Sequence, residues 1–439
     1  MASASVFDAH NPPRQDLIDA CVHCGFCLTT CPSYRVLGTE MDSPRGRIYQ
    51  MNAINQGEIG LSEATVSHFD SCLGCLACTT ACPSGVRYDQ LITATRIQVE
   101  RHHPRSPFQA LLRQLIFHLF PYPNRLQPLL LPLLLYQRSG LSYWLDKSGL
   151  LARFSPQMAA MASLLPRLSW ANLQPQTWPQ VIPAQGAKRY RVGLILGCVQ
   201  RLFNPAVNAA TIRVLTANGC EVVIPPEQGC CGALPHHQGQ ETQTQTLARQ
   251  MIDAFAATPV DAVLINASGC GHSLKEYGQI LAEDPQYARR AQAFAAQVAD
   301  VQEFLVRVGL TAPLHPLQSE PVTVVYQDAC HMLHGQRISQ QPRTLLRQIP
   351  GVTLRESVDA ALCCGSAGIY NMLQPEVAQE LGRQKVENLL ATGADLIASS
   401  NIGCYVQIGH HLARQGKTVP VLHPMQLLDQ AIQGIGRPA

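Results

Sequence analysis

The sequence has little charge. Asp, Glu, Lys and Arg make up only 14% of its 439 residues, well below the ~25% that is usual for soluble domains. Hydrophobic residues make up 46%, which is enough to build a core. So low a charge indicates either a surface that is covered by a partner or a membrane, or a large core with a glutamine-rich exterior. The net charge of +3 is too small to indicate a nucleic-acid-binding protein.

An export signal and a long apolar run are also missing. The first ten residues contain no basic n-region and no apolar h-region, so we expect the chain to fold in the reducing cytoplasm. The most apolar run, residues 126–136, is shorter than the ~20 residues that span a bilayer. Pro128 and Pro132 interrupt it. The sequence therefore predicts no transmembrane helix.

Cysteine, in contrast, is abundant. The chain has 17 cysteines, and eight of them lie between Cys21 and Cys82. In a reducing compartment, grouped cysteines indicate metal ligands rather than disulfides.

Two copies of the motif C-x2-C-x2-C-x3-C-P occupy the N-terminal region. Three cysteines two residues apart can wrap one face of a cubane, while the fourth is held away and reaches the other cluster. A pair of zinc sites is the alternative, but zinc requires neither the third and fourth cysteines nor the proline. We therefore predict two [4Fe–4S] clusters, the first bound by Cys21, Cys24, Cys27 and Cys82, and the second by Cys72, Cys75, Cys78 and Cys31.

The chain divides into four predicted ranges. Residues 1–101, with a helical pattern between the two motifs, are predicted to form an α-helical ferredoxin-like domain. Residues 102–188 contain no cysteine and are rich in Leu and Pro, including the series Pro175, Pro179 and Pro183, which predicts broken helices and a linker. Two interpretations of this linker stay open, namely ordinary packing between two domains and a membrane or partner surface. The second interpretation would use Phe117, Phe120 and Trp144 beside Arg113, Arg125 and Arg138.

From residue 189 onward the chain is a tandem repeat, predicted to divide into residues 189–310 and 311–439. Each repeat has a lone cysteine, then Cys-Cys-Gly, then another lone cysteine, and the second set follows the first by 132 to 134 residues. Short β-branched runs before the lone cysteines predict strands, and residues 242–256 and 375–390 show helical patterns. This alternation predicts a parallel α/β sheet in each repeat, with the cysteines near the carboxyl ends of the strands.

The repeat cysteines form two candidate four-thiolate sites. Each could bind a further iron–sulfur cluster or a zinc ion, form a redox dithiol, or hold inert buried thiols. Four histidines lie near them in sequence, namely His236, His237, His272 and His331, but a lone histidine is more often a satisfied polar residue than a ligand. The candidate sites are Cys198, Cys230, Cys231 and Cys270 in the first repeat, and Cys330, Cys363, Cys364 and Cys404 in the second.

The chain shows no site of its own for hydride chemistry. No G-x-G-x-x-G opens a helix after a strand, and no phosphate-binding G-x-x-x-x-G-K is present. An electron carrier without a flavin or nicotinamide site needs a partner that supplies one. We therefore predict no catalytic residue in this chain.

Several segments resemble the iron–sulfur subunit of bacterial glycolate oxidase (glycolate dehydrogenase). The segments that carry this resemblance are Cys-Val-His-Cys-Gly-Phe-Cys at Cys21, Ser-Pro-Arg-Gly-Arg-Ile at Ser43, Cys-Pro-Ser-Gly-Val-Arg-Tyr at Cys82, Ala-Ser-Gly-Cys-Gly at Ala267 and Leu-Cys-Cys-Gly-Ser-Ala-Gly at Leu362. The resemblance implies a hetero-oligomeric complex in which FAD-containing subunits oxidise glycolate to glyoxylate. It also implies that this chain passes the electrons to a membrane acceptor such as quinone, at the inner face of the cell membrane.

Related architectures leave two further functions open. One is the iron–sulfur subunit of a lactate or glycerol-3-phosphate dehydrogenase. The other is a disulfide or quinone reductase acting through the Cys-Cys-Gly repeats. Relatives with disulfide-reducing chemistry end their repeats in C-x-x-C, whereas here they end Cys270-Gly-His-Ser273 and Cys404-Tyr-Val-Gln407. We expect the isolated chain to be an electron carrier only.

Overall fold

The computed structural model describes residues 6–174 and 176–434. The outer five residues of the predicted ranges 1–101 and 311–439, and Pro175 of the proline series, lie outside the described residues. No helix within the described ranges is long and apolar enough to cross a membrane.

The N-terminal region is helical, as predicted. Its six helices alternate with loops that carry the cysteines, and a 3-10 turn over Glu40–Asp42 precedes the longest helix between the two motifs. That helix begins after Ser43, whose hydroxyl accepts a hydrogen bond from the Gly46 amide, which satisfies a donor that the first turn leaves free. The helices are α1 (Gln15–Asp19), α2 (Pro32–Leu37), α3 (Pro44–Asn55), α4 (Glu63–Asp70), α5 (Ala77–Ala81) and α6 (Tyr88–His102).

The core of this region joins the helices directly to the cysteine loops. Met51, Ile54, Phe69 and Leu91 are fully buried, and they pack in one cluster with Cys72 and Cys78 among other residues. The apolar faces of α3, α4 and α6 therefore hold the second motif in place.

The cysteine-free segment forms short helices, as its proline pattern predicts. Prolines occupy the first turn of three of them, where the missing N–H costs nothing. A 3-10 turn over Gln127–Leu129 lies between the second and third helix. The helices are α7 (Pro107–Leu119), α8 (Pro123–Leu126), α9 (Leu130–Arg138), α10 (Leu141–Ser148), α11 (Leu150–Phe154), α12 (Pro156–Ser163) and α13 (Trp170–Leu173).

The surface proposed for this segment from sequence needs correction. Phe117 and Arg113 are buried, because α7 turns them inward, where Arg113 forms an ion pair with Glu100. Phe120 is partly buried. Trp144, Arg125 and Arg138 are exposed, as that interpretation requires.

The first repeat contains a five-stranded sheet in the order β1-β3-β2-β4-β5. Four strands are parallel, as predicted, and β1 pairs antiparallel with β3 through Val181 and Val223. This edge strand comes from the predicted linker, and a two-residue strand flanked by prolines has no pattern that would reveal it. The strands are β1 (Val181–Ile182), β2 (Tyr190–Ile195), β3 (Cys220–Val223), β4 (Ala262–Ile265) and β5 (Val298–Asp300).

Helices connect the strands of the first sheet and cover it. The longest, α17, matches the helical pattern predicted over residues 242–256. The helices are α14 (Gln200–Phe203), α15 (Pro205–Ala217), α16 (Ala233–His236), α17 (Glu241–Ala256), α18 (Ser268–Lys275), α19 (Tyr277–Ile280), α20 (Ala288–Gln297) and α21 (Val301–Val308).

The second repeat contains a four-stranded, wholly parallel sheet in the order β7-β6-β8-β9. A π-helical turn over His331–Gly335 follows the first of these strands. The strands are β6 (Val322–Gln327), β7 (Val352–Arg355), β8 (Leu396–Ser399) and β9 (Val421–Leu422), and the helices are α22 (Gln340–Arg347), α23 (Tyr370–Leu373), α24 (Pro375–Leu390), α25 (Ile402–Arg414) and α26 (Pro424–Gln433).

The two sheets share one apolar core. Val192 and Leu264 of the first sheet belong to the same buried cluster as Val324 and Leu396 of the second, and Met425 of α26 joins them. Helix α26 also packs on α15, across the junction of the repeats. The repeats therefore bury their cores against each other. The helical N-terminal region and the two largely parallel sheets confirm the coarse fold class predicted from sequence.

Candidate iron–sulfur centres

The two cubane motifs differ sharply in burial. In the first loop, Val22 and Phe26 are 68% and 66% exposed, and Cys24 between them is also exposed. In the second loop every residue from 72 to 78 is buried. The same spacing thus places one candidate cluster at the surface and the other inside the molecule.

The backbone of both loops bends where the motif has its small residues. Gly25 and Gly74 adopt φ angles of +88° and +62°, in the left-handed region that favours glycine. Leu76 of the second loop also has a positive φ, of 64°. Cys31 immediately precedes α2, and Cys82 immediately follows α5, so each fourth cysteine leaves its own loop at the end of a helix.

The fourth cysteine of each motif acts electrostatically on a thiol of the other motif, which gives two candidate groups. Burial raises the pKa of Cys21, and the nearby thiolates of Cys82 and Cys24 raise it further. Burial raises the pKa of Cys78 well above its usual range, with added contributions from Cys75, Cys72 and Cys31. The two groups adjoin, because the thiolates of both Cys21 and Cys31 also raise the pKa of Cys27.

Buried arginines face the second group. Burial alone would raise the pKa of Cys72, but the guanidinium groups of Arg47 and Arg96 lower it below its usual value. The Gly74 amide, 3.4 Å from the Cys72 sulfur, and the Tyr88 hydroxyl contribute in the same direction. A positive environment of this kind stabilises thiolates and negatively charged clusters.

The first-repeat cysteines lie together in the protein interior. The sulfurs of Cys198 and Cys230 are 3.3 Å apart, and the Cys231 thiol is hydrogen-bonded to those of Cys230 and Cys270. The Tyr277 hydroxyl donates to the Cys231 carbonyl at 2.8 Å and so holds the Cys-Cys-Gly turn.

The second-repeat cysteines also lie together, and they border the second cubane motif. The sulfurs of Cys364 and Cys404 are 3.2 Å apart, and those of Cys363 and Cys330 are 4.0 Å apart. After burial, the largest contribution that raises the pKa of Cys75 comes from the Cys363 thiolate. Leu73, Cys75, Ala77, Cys363 and Cys330 also share one apolar cluster.

The glycine of each Cys-Cys-Gly turn has a backbone conformation that favours glycine. Gly232 and Gly365 adopt φ angles of +79° and +85°. A Cβ on Gly365 would also lie 2.6 Å from the carbonyl oxygen of Ala378 in α24, so only glycine fits there.

Each repeat places a cation beside its thiols, partly buried in the first repeat and fully buried in the second, and neither was predicted from the sequence. Lys385 on α24 is fully buried; its ammonium donates to the Ala360 carbonyl at 2.6 Å and lies close to Cys364 and Cys404. Arg201 on α14 lies close to Cys198, and one of its guanidinium nitrogens is buried without a hydrogen-bond partner. The signal for Lys385 was its spacing, four residues after Leu381, on the apolar face of a long helix.

His236, His237, His272 and His331, which the sequence did not indicate as ligands, form one cluster. The ring centroids of His237 and His331 are 4.6 Å apart, and those of His272 and His331 are 5.0 Å apart. Glu276 lies 3.7 Å from His236 and 3.5 Å from His272. No single segment of sequence indicates this arrangement, because the rings come from both repeats.

The part of the chain that the structure describes forms no coordination site for a single metal ion. There, no group of three or more His, Cys, Asp or Glu side chains is arranged to hold one metal ion. The thiolates of a cubane bind separate irons and do not require that arrangement.

This combination of cubane motifs and cysteine-bearing sheets defines an iron–sulfur electron-transfer subunit. Residues 17–86 match the family described as 4Fe-4S dicluster domain. Residues 108–165 match the linker region of the glycolate oxidase iron-sulfur subunit. Residues 192–275 and 324–409 match a cysteine-rich domain.

Two relatives that match nearly the whole chain identify its family. The chain is 38% identical, over 94% of its length and 93% of the relative's, to the probable glycolate oxidase iron-sulfur subunit of Bacillus subtilis (strain 168). It is 34% identical, over 95% of both chains, to the glycolate oxidase iron-sulfur subunit of Escherichia coli (strain K12). The chain therefore belongs to the family of glycolate oxidase iron–sulfur subunits and contains iron–sulfur clusters, as the resemblance implied.

Two other similarities are more limited. Lactate utilization protein A of Shouchella clausii (strain KSM-K16) is 32% identical over 54% of this chain and 98% of its own. One similar solved structure is that of a hypothetical protein from Helicobacter pylori, with 10% identity, a TM-score of 0.43, and coverage of 63% of this chain and 56% of its own. A similarity at that level supports no argument.

Proposed function

We propose that this chain carries electrons from FAD-containing partner subunits, which oxidise glycolate to glyoxylate, to a membrane acceptor such as quinone. Two [4Fe–4S] clusters carry the electrons, in a hetero-oligomeric complex on the cytoplasmic side of the membrane. The observation that best supports this proposal is the contrast between the exposed first cubane loop and the buried second one. The four ranges 1–101, 102–188, 189–310 and 311–439 are the proposed domains, with an α-helical ferredoxin-like fold for the first.

The thiol groups fit two cubanes. The first would be held by Cys21, Cys24, Cys27 and Cys82, and the second by Cys72, Cys75, Cys78 and Cys31. The electrostatic contacts support the exchange of the fourth cysteines, since Cys82 acts on Cys21 and Cys31 acts on Cys78. When bound, such clusters accept and release one electron at a time, and the loops of this chain hold them at adjoining positions.

The burial of the loops supports a direction of electron flow. The first loop offers the exposed side chains of Val22 and Phe26 around Cys24, where a partner can approach the cluster closely. The second loop is buried and packs against the second repeat. Electrons would therefore enter at the first cluster and leave the second cluster toward Cys363.

The repeat thiols could hold a further iron–sulfur cluster, and the second repeat is favoured. Its Cys363 lies beside Cys75 of the second cubane group, and the buried ammonium of Lys385 can balance the charge of a bound thiolate site. A redox dithiol acting as a disulfide or quinone reductase is the second candidate. The 3.2 Å approach of Cys364 to Cys404 supports that candidate.

Glycolate is favoured over lactate and glycerol 3-phosphate as the donor of the complex. The supporting observation is that the match to the glycolate oxidase subunits spans the linker, whereas the lactate utilization relative matches about half of this chain. The substrate would bind to the flavin-bearing partner, because this chain shows no site for hydride chemistry.

Purification of the chain with its partners tests the proposal. We expect it to copurify with an FAD protein, and the complex to reduce a soluble dye with glycolate faster than with lactate or glycerol 3-phosphate. The Cys24→Ser variant should stop dye reduction by the iron–sulfur chain without stopping glycolate-dependent bleaching of the flavin. A complex that prefers lactate would favour the alternative subunit family, and turnover by the isolated chain would favour direct reductase chemistry.

A further inference from the structure

Exposed apolar side chains gather on the helices between the N-terminal region and the first sheet. Tyr143 and Trp144 of α10 are 69% and 57% exposed. Single exposed hydrophobic residues are normal, but a group of them marks an interaction site. Helix α9 contacts both α10 and α13, so these side chains come from one layer of helices. We call this group the linker surface; its apolar members are Leu131, Leu135, Leu141, Tyr143, Trp144 and Trp170.

Helix α7 also exposes apolar side chains. It is apolar on two sides, because Leu112 and Ile116 face the interior while Leu111 and Leu115 are exposed. Leu111 and Leu115 are four residues apart and so lie on one outer face, together with Phe108. This outer face therefore adds exposed apolar side chains to those of the linker surface.

The linker surface is also cationic. Residues 102–188 contain one acidic residue, Asp146. Arg105 and Arg113 face the interior and are balanced by Asp70 and Glu100, which lie outside the segment. Exposed cations on the helices and loops of residues 107–174 are Arg125, Arg138, Lys147, Arg153 and Arg167.

Two of these cations lie over the exposed aromatic rings. The Arg138 guanidinium is 5.1 Å from the centre of the Trp170 ring, and the Lys147 ammonium is 5.8 Å from that of Tyr143. Such pairs place the charge at the rim of an apolar surface.

We infer that the linker surface binds an anionic phospholipid bilayer. Trp and Tyr prefer the membrane–water interface, Leu side chains enter the acyl boundary, and Lys and Arg attract anionic headgroups. A protein partner is the competing occupant, because Trp, Tyr and Arg are also enriched at protein interfaces. The exposed leucines and Lys147 favour the bilayer, because Leu is rare among the energetic anchors of protein interfaces and Lys is depleted there. This inference names the surface that would contact the membrane, and it rests on the proposed function only for the membrane location.

Vesicle cosedimentation of the full chain with its clusters tests this inference. We expect binding to vesicles of phosphatidylglycerol and phosphatidylcholine, weak binding to pure phosphatidylcholine, and weakening by salt. Arg138→Gln and Lys147→Gln should each weaken binding about fivefold, and the double variant Leu135→Ser, Trp144→Ser should weaken it at least as much. Arg289→Gln, Lys417→Gln and Val358→Ser, which change exposed residues elsewhere, are the matched controls and should bind as the wild type does.

Three outcomes would overturn the inference. These are equal binding to both vesicle types, equal loss in the control variants, and loss of vesicle binding once the partner subunits occupy the chain. Glycolate-dependent dye reduction by the vesicle-free complex reports on the proposed function separately. Dye reduction without vesicle binding would refute only the lipid inference, whereas vesicle binding without dye reduction would refute only the proposed function.

Discussion

The Nε2 atom of His331 lies 2.9 Å from the carbonyl oxygen of Gly74. His331 follows Cys330 of the second repeat, and Gly74 lies between two cysteines of the second cubane loop, so this hydrogen bond joins the two candidate sites. The Tyr370 hydroxyl adds a second link, because it donates to the carbonyl of Ser71 at 3.1 Å. The cubane loop is thus held in place by the repeat on which it packs.

Replacing His331 should loosen the second cubane loop. His331→Ala removes the donor to Gly74 and leaves a buried carbonyl unpaired, which costs about 1–3 kcal/mol. We expect iron of the second cluster to be lost to a chelator several-fold faster, while iron of the first cluster is lost at the wild-type rate. His315→Ala, at an exposed position, is the control. Equal rates in wild type and His331→Ala would mean that the hydrogen bond does not hold the loop.

Paired serine variants test the exchange of the fourth cysteines. Cys31 and Cys75 are assigned to the same cluster, so the Cys31→Ser, Cys75→Ser double variant should lose no more iron than either single variant. Cys31 and Cys24 are assigned to different clusters, so Cys31→Ser, Cys24→Ser should lose both. Iron and sulfide analysis measures the loss of each cluster. Cys220→Ser, which changes a buried thiol in β3, is the control. The reverse pattern would assign each motif to its own cluster.

Lys385 should tune the redox site proposed for the second repeat. Lys385→Met removes a buried positive charge beside Cys364 and Cys404, and so should lower the reduction potential of that site by tens of millivolts, where ~59 mV is a tenfold change for one electron. Potentiometric titration followed by EPR measures the shift. Arg383→Gln, which changes an exposed residue on the same helix, should leave the potential unchanged. An unchanged potential in Lys385→Met would contradict a redox site beside this lysine.

Arg47 should be essential for the stability of the N-terminal region. Its buried guanidinium donates to the hydroxyls of Ser33 at 3.0 Å and Ser71 at 2.8 Å and lies 3.6 Å from Asp42. Arg47→Gln leaves Asp42 without this partner and should cost about 3–5 kcal/mol. The temperature at which heating releases the second cluster should be clearly lower than in the wild type. Arg45→Gln removes a partly exposed ion pair with Glu40 and should have a much smaller effect; equal effects would contradict the account.

Asp300 should make stability depend on pH. Burial raises the pKa of this carboxyl to about 7, and one of its oxygens has no hydrogen-bond partner. Because the folded chain then holds a proton that the unfolded chain releases, the free energy of unfolding should fall as pH rises from about 4 to about 7, by at most about 4 kcal/mol. Asp300 caps α21, because its carboxyl group accepts a hydrogen bond from the Gln302 amide at 2.8 Å, and Asp300→Asn keeps this cap without the titration. Its urea midpoint, relative to the wild type at each pH, should rise over this interval; a constant difference would rule out this carboxyl as the source.

The sequence predicted the regular elements well where the periodicity was long. Helices α17 and α24 lie within a residue of the patterns seen in the sequence, and β2 and β6 lie on the predicted β-branched runs. These elements are buried on one face or on both, so their hydrophobic pattern is strong. The grouping of the candidate ligands by the spacing of the cysteines stays a prediction.

The contacts between distant segments could not be predicted in the same way. The two cubane loops have the same spacing, yet only the second is buried, because Leu73 and Ala77 pack against the second repeat. The histidine cluster and the approach of Cys363 to Cys75 likewise depend on how the regions dock. A local pattern indicates which face of an element is buried, but not which segment packs against that face.

Iron and acid-labile sulfide analysis of the anaerobically purified chain, with EPR after dithionite reduction, tests the central claim most directly. The account predicts that the wild type contains about eight irons more than the Cys24→Ser, Cys75→Ser double variant, with a pair of coupled S = 1/2 signals that the variant lacks. Iron in excess of those eight would belong to the repeats. Zinc with little or no iron in the wild type would contradict the claim that the N-terminal cysteines hold two electron-carrying clusters.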